Sequence, residues 1–214
     1  DGNRRNKLYI NNHDLSFTES AAKYGLAHSG YCTQAAFFDY DMDGDLDMYL
    51  LNHNVVVIRE FEYANVRETR HPYAGDKFFR NDNGHFVDVS SQAGVNGSPL
   101  VFGLGITVAD INKDGWLDMY VSNDYVEPDY LYINNHDGTF RESLTEQMRS
   151  ISGASMGADL ADINNDGYPD IFVTEMLPSE NARLKTVTTF ENWDRYQYSV
   201  QNDYFHQFTR NMLQ

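Results

Sequence analysis

Three short acidic segments carry side chains that could bind a metal ion. They begin at Asp39, Asp110 and Asp162 and share the nine-residue pattern D-x-[DN]-x-D-G-x-x-D. Side-chain oxygens at positions 1, 3, 5 and 9 and the carbonyl of position 7 would supply hard oxygen donors, which Ca²⁺ takes in sets of about six to eight. No segment contains His or Cys, which disfavours zinc. We therefore expect about three bound Ca²⁺ ions.

The predicted ligands comprise four side chains and one backbone carbonyl per site. In the first loop (39–47) they are Asp39, Asp41, Asp43 and Asp47, with the carbonyl of Asp45. In the second loop (110–118) they are Asp110, Asn112, Asp114 and Asp118, with the carbonyl of Trp116. In the third loop (162–170) they are Asp162, Asn164, Asp166 and Asp170, with the carbonyl of Tyr168.

Two other interpretations of these segments were weighed. One such segment is as typical of a surface turn as of a metal site. Three copies that keep the same positions favour the metal site, because like charges about 4 Å apart cost roughly 1–4 kcal/mol per pair without a cation. A helix–loop–helix calcium hand requires Glu at position 12, where this chain has Leu50, Val121 and Val173. The loops are therefore expected to join strand to strand.

A second segment recurs in step with the loops. Its copies are 8–17, 78–86 and 131–140, and each places an Asn-rich turn between extended flanks. Asn83-Gly84 and Asp137-Gly138 favour tight hairpin turns, whereas the first copy has Asp14-Leu15 there. Apolar runs before and after each acidic loop predict two further strands per unit.

The predicted fold is therefore an all-β propeller built from four-stranded units. The 214 residues supply about three to four blades, which indicates an arc of a larger, roughly seven-bladed propeller. The expected boundaries are 1–31 for a hairpin that completes a preceding blade, 32–103 and 104–153 for two blades, and 154–214 for a partial blade. After 162–174 the sequence shows no matching hairpin.

The loops between apolar strands resemble the calcium-binding repeats of FG-GAP/VCBS β-propellers, the group that includes the integrin α-subunit head. The L-Y-I-N-N-x-D-G-x-F hairpin is similar to bacterial ASPIC/UnbV-associated members. The resemblance covers roughly residues 7–175. It implies a secreted, periplasmic or cell-surface protein with an adhesive or scaffolding role and a protein or glycan ligand. A lipid anchor on a missing N-terminus is one way in which such a protein would be held at the surface. A bacterial outer-membrane or cell-surface complex is one such partner.

Two stretches interrupt the repeat and hold the candidate ligand-binding residues. The insertion 53–75 carries Arg59, Arg67 and Arg70, and the insertion 176–209 is rich in aromatic side chains. From the second insertion we single out Trp193, Tyr196 and Tyr198. Solvated or packing loops are the alternative for both. Ser179 could cap a helix over about 180–199.

Charge and motifs restrict the remaining functions. The chain has 32 acidic and 16 basic side chains and a formal net charge of −16, so its own field repels nucleic acid. The sequence has no apolar run long enough to span a bilayer. It contains no nucleophile elbow, phosphate loop or HExxH motif and no candidate catalytic residue, so we expect no enzyme. Calcium propellers of some polysaccharide lyases have similar loops, which keeps a carbohydrate-active enzyme as the alternative.

Overall fold

The computed structural model describes residues 4–53, 66–187 and 193–214. The described residues form short β-strands with four short helices between them. The strands are β1 Tyr9–Asn11, β2 Phe17–Glu19, β3 Cys32–Phe38, β4 Asp47–Asn52, β5 Lys77–Asn81, β6 Phe86–Asp88, β7 Gly103–Ala109, β8 Asp118–Asn123, β9 Tyr130–Asn134, β10 Phe140–Glu142, β11 Ile151–Ser152, β12 Gly157–Ala161, β13 Asp170–Thr174, β14 Gln207–Phe208 and β15 Met212–Leu213. The helices are α1 Ala21–Tyr24, α2 Leu144–Gln147, α3 Asn181–Val187 and α4 Trp193–Gln201.

Antiparallel meanders dominate the sheet topology. The first sheet has the order β3-β4-β5-β6 and the second the order β7-β8-β9-β10, with every neighbouring pair antiparallel. The third sheet has the order β12-β13-β15. β1 and β2 form a separate hairpin, and β11 pairs with β14 in parallel. The four-stranded sheets confirm the predicted strand pattern and are consistent with propeller blades.

The sheets stack face to face in chain order because their central strands are apolar on both faces. All six residues of β8 are buried, and their side chains alternate between two cores. Met119 and Val121 join a cluster shared with the first sheet, whereas Tyr120 packs with Ile171 and Val173 of the third sheet. Each sheet therefore completes the core of its neighbour, as consecutive blades do.

The first strands of successive sheets approach closely. Thr33 Oγ1 donates to the Gly103 carbonyl at 2.6 Å, and Thr107 Oγ1 donates in the same way to the Ala158 carbonyl at 2.7 Å. A Cβ added at Gly105 would lie 3.1 Å from the Gly157 Cα. Glycine at 105 thus permits the close approach of β7 and β12.

A buried clamp closes the connection between the second and third strands of the two four-stranded sheets. In the first sheet the Asp76 carboxylate accepts the Tyr49 hydroxyl at 2.9 Å and the Asn52 N–H at 2.8 Å. In the second sheet Asp129 accepts Tyr120 at 2.6 Å and the Asn123 N–H at 2.8 Å. The sequence analysis missed this clamp because its members are separated by an insertion of different length in each unit.

The third sheet keeps half of the clamp. It gains a third strand that the sequence did not predict, although the described residues complete no matching hairpin after 162–174. Asn211 Oδ1 accepts the Glu175 N–H at 2.7 Å, in the register of Asp76 and Asp129. Phe172 stands in the register of the clamp tyrosines and brings no hydroxyl. Met212–Leu213 then pairs with β13 as the third strand, so 176–210 is an insertion at the position that 53–75 occupies in the first sheet.

The helix expected over about 180–199 is described as two helices, α3 and α4, with residues 188–192 outside the described chain. The expected first-hairpin turn forms despite its lack of glycine, because Leu15 adopts a left-handed backbone with φ +67° and is 99% exposed. The predicted domain boundaries, the total number of blades and closure of a propeller stay predictions.

The clamp generates a pH prediction. Burial raises the pKa of Asp76 to about 7, against an ordinary value of about 3.9. The folded state therefore keeps a proton that the unfolded chain has released, and the contribution of Asp76 to the free energy of unfolding falls as pH rises from about 4 to about 7. In the wild type, this titration should lower the free energy of unfolding by an amount on the order of a few kcal/mol over that range. We expect Asp76→Asn, whose amide can still hydrogen-bond to Tyr49 and Asn52, to abolish this decrease.

Urea unfolding of the wild type and of Asp76→Asn between pH 4 and pH 8 measures this difference. The exposed Asp159→Asn serves as the control and should leave the pH dependence unchanged. Equal pH slopes in the wild type and Asp76→Asn would show that the buried carboxyl is not the group that titrates.

Candidate metal centre

The three acidic loops fold in the same way around the carboxylate of position 1. The N–H groups of positions 5 and 6 donate to this carboxylate, at 3.2 and 3.0 Å in the first loop. The matching distances are 3.0 and 2.9 Å in the second loop and 3.1 and 2.8 Å in the third. The carboxylate of position 1 therefore holds the backbone of each loop in a tight turn through two hydrogen bonds, without a bound ligand.

Glycine at position 6 supplies a backbone conformation. Gly44, Gly115 and Gly167 have φ of +94°, +91° and +92°, a region that L-residues rarely adopt. A Cβ at Gly44 or Gly115 would meet no atom within 4 Å. The glycine is needed for its dihedral angle and not for close packing against a neighbour.

In the first two loops the carboxylate of position 9 joins the loop to the hairpin of its own sheet. Asp47 Oδ2 accepts the Tyr40 N–H at 3.2 Å, and its Oδ1 accepts the Asn81 N–H at 2.8 Å. Asp118 does the same with Ile111 at 2.9 Å and Asn134 at 2.8 Å. Both carboxylates are buried, and desolvation raises the pKa of Asp47 to about 6 against the opposing hydrogen bonds.

The hairpin asparagines return the contact through their side chains. Asn81 Nδ2 donates to the Leu46 carbonyl at 3.1 Å, and Asn134 Nδ2 donates to the Leu117 carbonyl at 3.3 Å. Asn134 Nδ2 also reaches the Tyr40 carbonyl of the preceding sheet at 2.8 Å. The two repeated sequence segments are thus bound to each other, which the sequence analysis recorded only as matched spacing.

The first loop has the arrangement that most needs a cation. Ligand atoms of Asp39, Asp41 and Asp43 all lie within 4.8 Å of one another. Within the described chain, Asp41 Oδ1 is buried and accepts no hydrogen bond. Desolvation and the neighbouring carboxylates of Asp43 and Asp39 raise the pKa of Asp41. Three converging carboxylates and one buried oxygen without a donor fit a hard divalent cation.

The second and third loops replace the middle carboxylate by an amide. Asn112 Nδ2 donates to Asp114 Oδ2 at 2.6 Å, and Asn164 Nδ2 donates to Asp166 Oδ2 at 3.0 Å. The N–H of Trp116 and of Tyr168 donates to the other oxygen of the same carboxylate, at 2.8 Å in both loops. In both loops the predicted ligand residues therefore lie close together. Their side chains carry one negative charge fewer than those of the first loop.

Neighbouring loops also contact one another. Lys113 Nζ of the second loop lies 4.8 Å from the ring centroid of Tyr168 in the third loop. A Cβ added at Gly167 would lie 3.1 Å from the same ammonium. Lys113 therefore connects the second loop to the third.

The predicted arginines have internal partners where they are described. Arg67 donates to both oxygens of the buried Glu127 at 3.0–3.2 Å, and its guanidinium lies 5.0 Å from the Tyr204 ring centroid. Arg70 donates to the carbonyls of Ser90 and Val95. Arg67 thereby ties the first insertion to the second, a packing role that sequence analysis weighed as the alternative. Arg59 lies outside the described residues.

The predicted aromatic residues lie on α4. Trp193 is 71% exposed and stacks on Tyr196 with ring centroids 5.7 Å apart, and Tyr196 in turn stacks on Phe208 at 5.6 Å. The Tyr196 hydroxyl lies 2.8 Å from His206 Nδ1. Tyr198 is half-buried on the same helix and accepts the Asn202 amide through its carbonyl at 2.8 Å.

A second aromatic row was missed by sequence analysis. The ring centroids of Tyr31, His53, Phe102 and Tyr125 follow one another at 5.6, 5.1 and 4.8 Å. Tyr31 and Tyr125 are 41% and 48% exposed, and Tyr125 has φ +69°, an uncommon conformation for a bulky residue. The row combines residues from both meanders, so no local pattern could have indicated it.

Comparison with known proteins identifies the repeat. A family model described as an FG-GAP-like repeat matches residues 1–50 and 110–173, just over half of the chain. The chain belongs to the FG-GAP-like repeat family. The matched ranges contain all three acidic loops. The family assignment therefore rests on the loops and on the strands that follow them.

Integrin α subunits are among the relatives of this FG-GAP-like chain. Integrin alpha-6 is 36% identical in Gallus gallus and 32% identical in Homo sapiens, each over 83 residues that cover 34% of this chain. Integrin alpha-3 of Mus musculus is 31% identical over 83 residues. The aligned parts cover 7–8% of these relatives, so the chain matches a small part of each.

A solved lectin structure from Agrocybe aegerita, described as recognising non-reducing terminal N-acetylglucosamine, overlaps 80% of this chain and 42% of its own. Its sequence identity is 18% and its TM-score is 0.42. This score is too low to indicate a shared fold, so the family assignment rests on the repeat model. Among the described residues, no helix has the length and apolar character needed to cross a bilayer.

The position-9 carboxylate shared between the loop and the hairpin, here called the clasp, generates a stability prediction. We expect Asp118→Ala to lower the free energy of unfolding by about 2–4 kcal/mol, because the part-buried N–H of Ile111 and the buried N–H of Asn134 lose their acceptor at about 1–3 kcal/mol each. Removal of a desolvated charge offsets part of this loss.

Urea denaturation in EDTA measures the effect without any contribution from bound metal. The matched control is Asp170→Ala in the third loop, where the carboxylate accepts the Ile163 N–H at 3.0 Å and lies against no meander hairpin of the described chain. The loss there should be about half as large. Equal losses at the two positions would contradict the clasp.

Proposed function

We propose that this FG-GAP-like chain is a calcium-stabilised β-propeller module with an extracytoplasmic binding, adhesion or scaffold role. The observation that carries the proposal is the convergence of Asp39, Asp41 and Asp43, together with the buried Asp41 Oδ1, which has no hydrogen-bond donor among the described residues. Two further loops with the same backbone support it. Similarity to integrin α subunits supports a binding or adhesive role and an extracytoplasmic location.

The proposed ligands are the residues of the three loops. Each site would use the side chains of positions 1, 3, 5 and 9 and the carbonyl of position 7. When bound, the cation would supply positive charge that neutralises the clustered carboxylates. The residues of the chain do the rest: the position-1 carboxylate curls the loop, and the position-9 carboxylate fixes it to the hairpin.

The donor set favours Ca²⁺ over other divalent ions. All proposed donors are oxygens, which excludes a preference for softer metals. A flexible loop with carboxylate, amide and carbonyl oxygens suits the variable coordination of Ca²⁺ better than the strict octahedron of Mg²⁺. Calcium in this role is structural, because it would join two strands of one sheet and stabilise the folded state by mass action.

The opposite end of the sheets is the proposed ligand face. In an antiparallel meander the loop between the first two strands and the turn between the last two share one end, so both insertions emerge at the other end. The row of Tyr31, His53, Phe102 and Tyr125 lies at this end, and the second insertion carries the exposed Trp193. Exposed aromatic rings suit a protein or glycan ligand.

The hairpin motif supports a finer assignment, similarity to bacterial ASPIC/UnbV-associated proteins, and hence a cell-surface or outer-membrane complex as the partner. The negative field of the chain disfavours nucleic acid as a ligand. We further propose that the module carries out no reaction, because the described insertion arginines are engaged by Glu127 and by backbone carbonyls.

Calcium should raise the melting temperature of the wild type. With several weak sites of dissociation constant on the order of 10⁻⁴–10⁻³ M, a few millimolar CaCl₂ should stabilise the protein by about 1–2 kcal/mol per site. For a domain of this size, 1 kcal/mol corresponds to a shift of about 2–4 °C. Differential scanning calorimetry in CaCl₂ and in EDTA measures the shift.

The variant Asp41→Asn removes one charge from the first loop and should reduce the calcium-dependent shift while raising the melting temperature in EDTA. Asp159→Asn, an exposed change outside the loops, is the control. A wild type that shows no calcium-dependent shift and binds no Ca²⁺ by calorimetry would refute the calcium proposal.

A separate assay distinguishes a binding module from a polysaccharide lyase. We expect incubation with alginate, pectate and other acidic polysaccharides in CaCl₂ to yield no unsaturated uronate, which would be detected by its ultraviolet absorbance. Retention of the protein on a glycan array without turnover would support a lectin-like role. Accumulation of unsaturated product would establish the enzymatic alternative.

A further inference from the structure

One imidazole contacts two proposed ligand positions of the second loop. His136 Nε2 lies 2.8 Å from Asp114 Oδ2, at position 5. The His136 ring also stacks on the Trp116 indole, at position 7, with centroids 4.8 Å apart and an interplanar angle of 19°. His136 belongs to the hairpin turn between β9 and β10, so neither contact is local in sequence.

The hairpin holds His136 in this place. Its backbone is left-handed with φ +65°, and its N–H donates to Asn134 Oδ1 at 2.9 Å. Asn134 is itself fixed by its N–H bond to Asp118 Oδ1 at 2.8 Å. The backbone of His136 is therefore connected to position 9 of the second loop through Asn134, and its imidazole contacts position 5 of the same loop.

The contact orients the Asp114 carboxylate. Oδ1 accepts the Trp116 N–H at 2.8 Å, whereas Oδ2 accepts Asn112 Nδ2 at 2.6 Å and the His136 contact at 2.8 Å. Although desolvation opposes it, the hydrogen bonds from Trp116 and His136 lower the pKa of Asp114. A carboxylate has about four acceptor sites, so Oδ1 keeps one for a cation.

The other two loops differ at this point. The hairpin after the first loop has Asn83 in the corresponding left-handed turn position. In the third loop the Asp166 carboxylate is held by Asn164 and by the Tyr168 N–H within the described chain. Among the contacts of the described residues, a position-5 carboxylate meets an imidazole in the second loop and not in the other two.

We propose that His136 is a positioning residue for the cation of the second loop. This inference rests on the proposed calcium sites. With Asp114 ionised, His136 donates its Nε2–H and holds the carboxylate in one orientation, while the stacked ring fixes Trp116, whose carbonyl is a proposed ligand. Partners of this kind around a ligand set typically change metal affinity by about 10–100-fold when removed. The second loop therefore binds its cation more tightly than its own ligand set would alone.

Terbium luminescence can report the second loop alone. Tb³⁺ replaces Ca²⁺ in oxygen sites and emits when a nearby indole is excited. The chain has two tryptophans, so in a Trp193→Phe background, with excitation on the red edge of the indole band where tyrosine does not absorb, Trp116 is the sole sensitiser. Titration with Tb³⁺, followed by displacement with CaCl₂ at pH 8, gives the affinity of the second loop.

The variants test the donor and the turn separately. His136→Asn retains a residue that tolerates the left-handed backbone but is too short to reach Asp114. His136→Gln offers an amide N–H at a similar reach. His13→Asn is the matched control, because His13 has φ +67° and donates its N–H to Asn11 Oδ1 at 2.8 Å in the first hairpin.

We expect His136→Asn to weaken the terbium and calcium affinity of the second loop by about 10-fold or more. His136→Gln should recover most of this loss, and His13→Asn should cause none. Unchanged or tighter binding in His136→Asn would overturn the inference. So would equal losses in the Asn and Gln variants that parallel lower melting temperatures in EDTA, since these would indicate packing alone. A wild type that binds no cation would instead refute the calcium proposal itself.

Discussion

The structure depends on one buried interaction, the carboxylate of loop position 9 shared between two backbone N–H groups. Asp47 and Asp118 each accept one N–H from their own loop and one from the hairpin that follows. The loop determines where the second strand begins, and the hairpin N–H determines where the third strand ends. Because both donors are backbone groups, the contact sets the positions of the strand ends and does not depend on which side chains the two donor residues carry. The same carboxylates are proposed cation ligands, so strand register and ion binding use the same atoms.

Stacking of the sheets follows from alternation along the central strands. Odd and even positions of β8 enter different cores, and each core is completed by the adjacent sheet. A single sheet of this kind cannot bury both of its faces alone, which is the general condition of repeat proteins. The insertions add a second connection, since Arg67 links the first insertion to Glu127 and to Tyr204 of the second.

The sequence predicted the features that are local and repeated. The acidic loops, their flanking strands and the hairpins follow from patterns of fewer than about ten residues, where loop and turn chemistry dominates. It did not predict Asp76 and Asn211 as equivalents, because insertions of different length separate them from their strands. It also missed the contact of His136 with Asp114 and the row from Tyr31 to Tyr125, since these depend on which elements the fold brings together. Arg67 was noticed for its charge, but its buried partner Glu127 is 60 residues away.

The way the third sheet obtains its last described strand has a kinetic consequence. In the second sheet the clamp closes a connection of six residues between Asn123 and Asp129, whereas in the third sheet Glu175 and Asn211 are separated by 36. Each doubling of a loop adds about 0.6 kcal/mol of closure entropy, so the longer connection costs about 1.5 kcal/mol more to close. β15 is therefore expected to join its sheet later in folding than β9 joins the second sheet, and to detach earlier. Its amide hydrogens should accordingly exchange faster than those of β9.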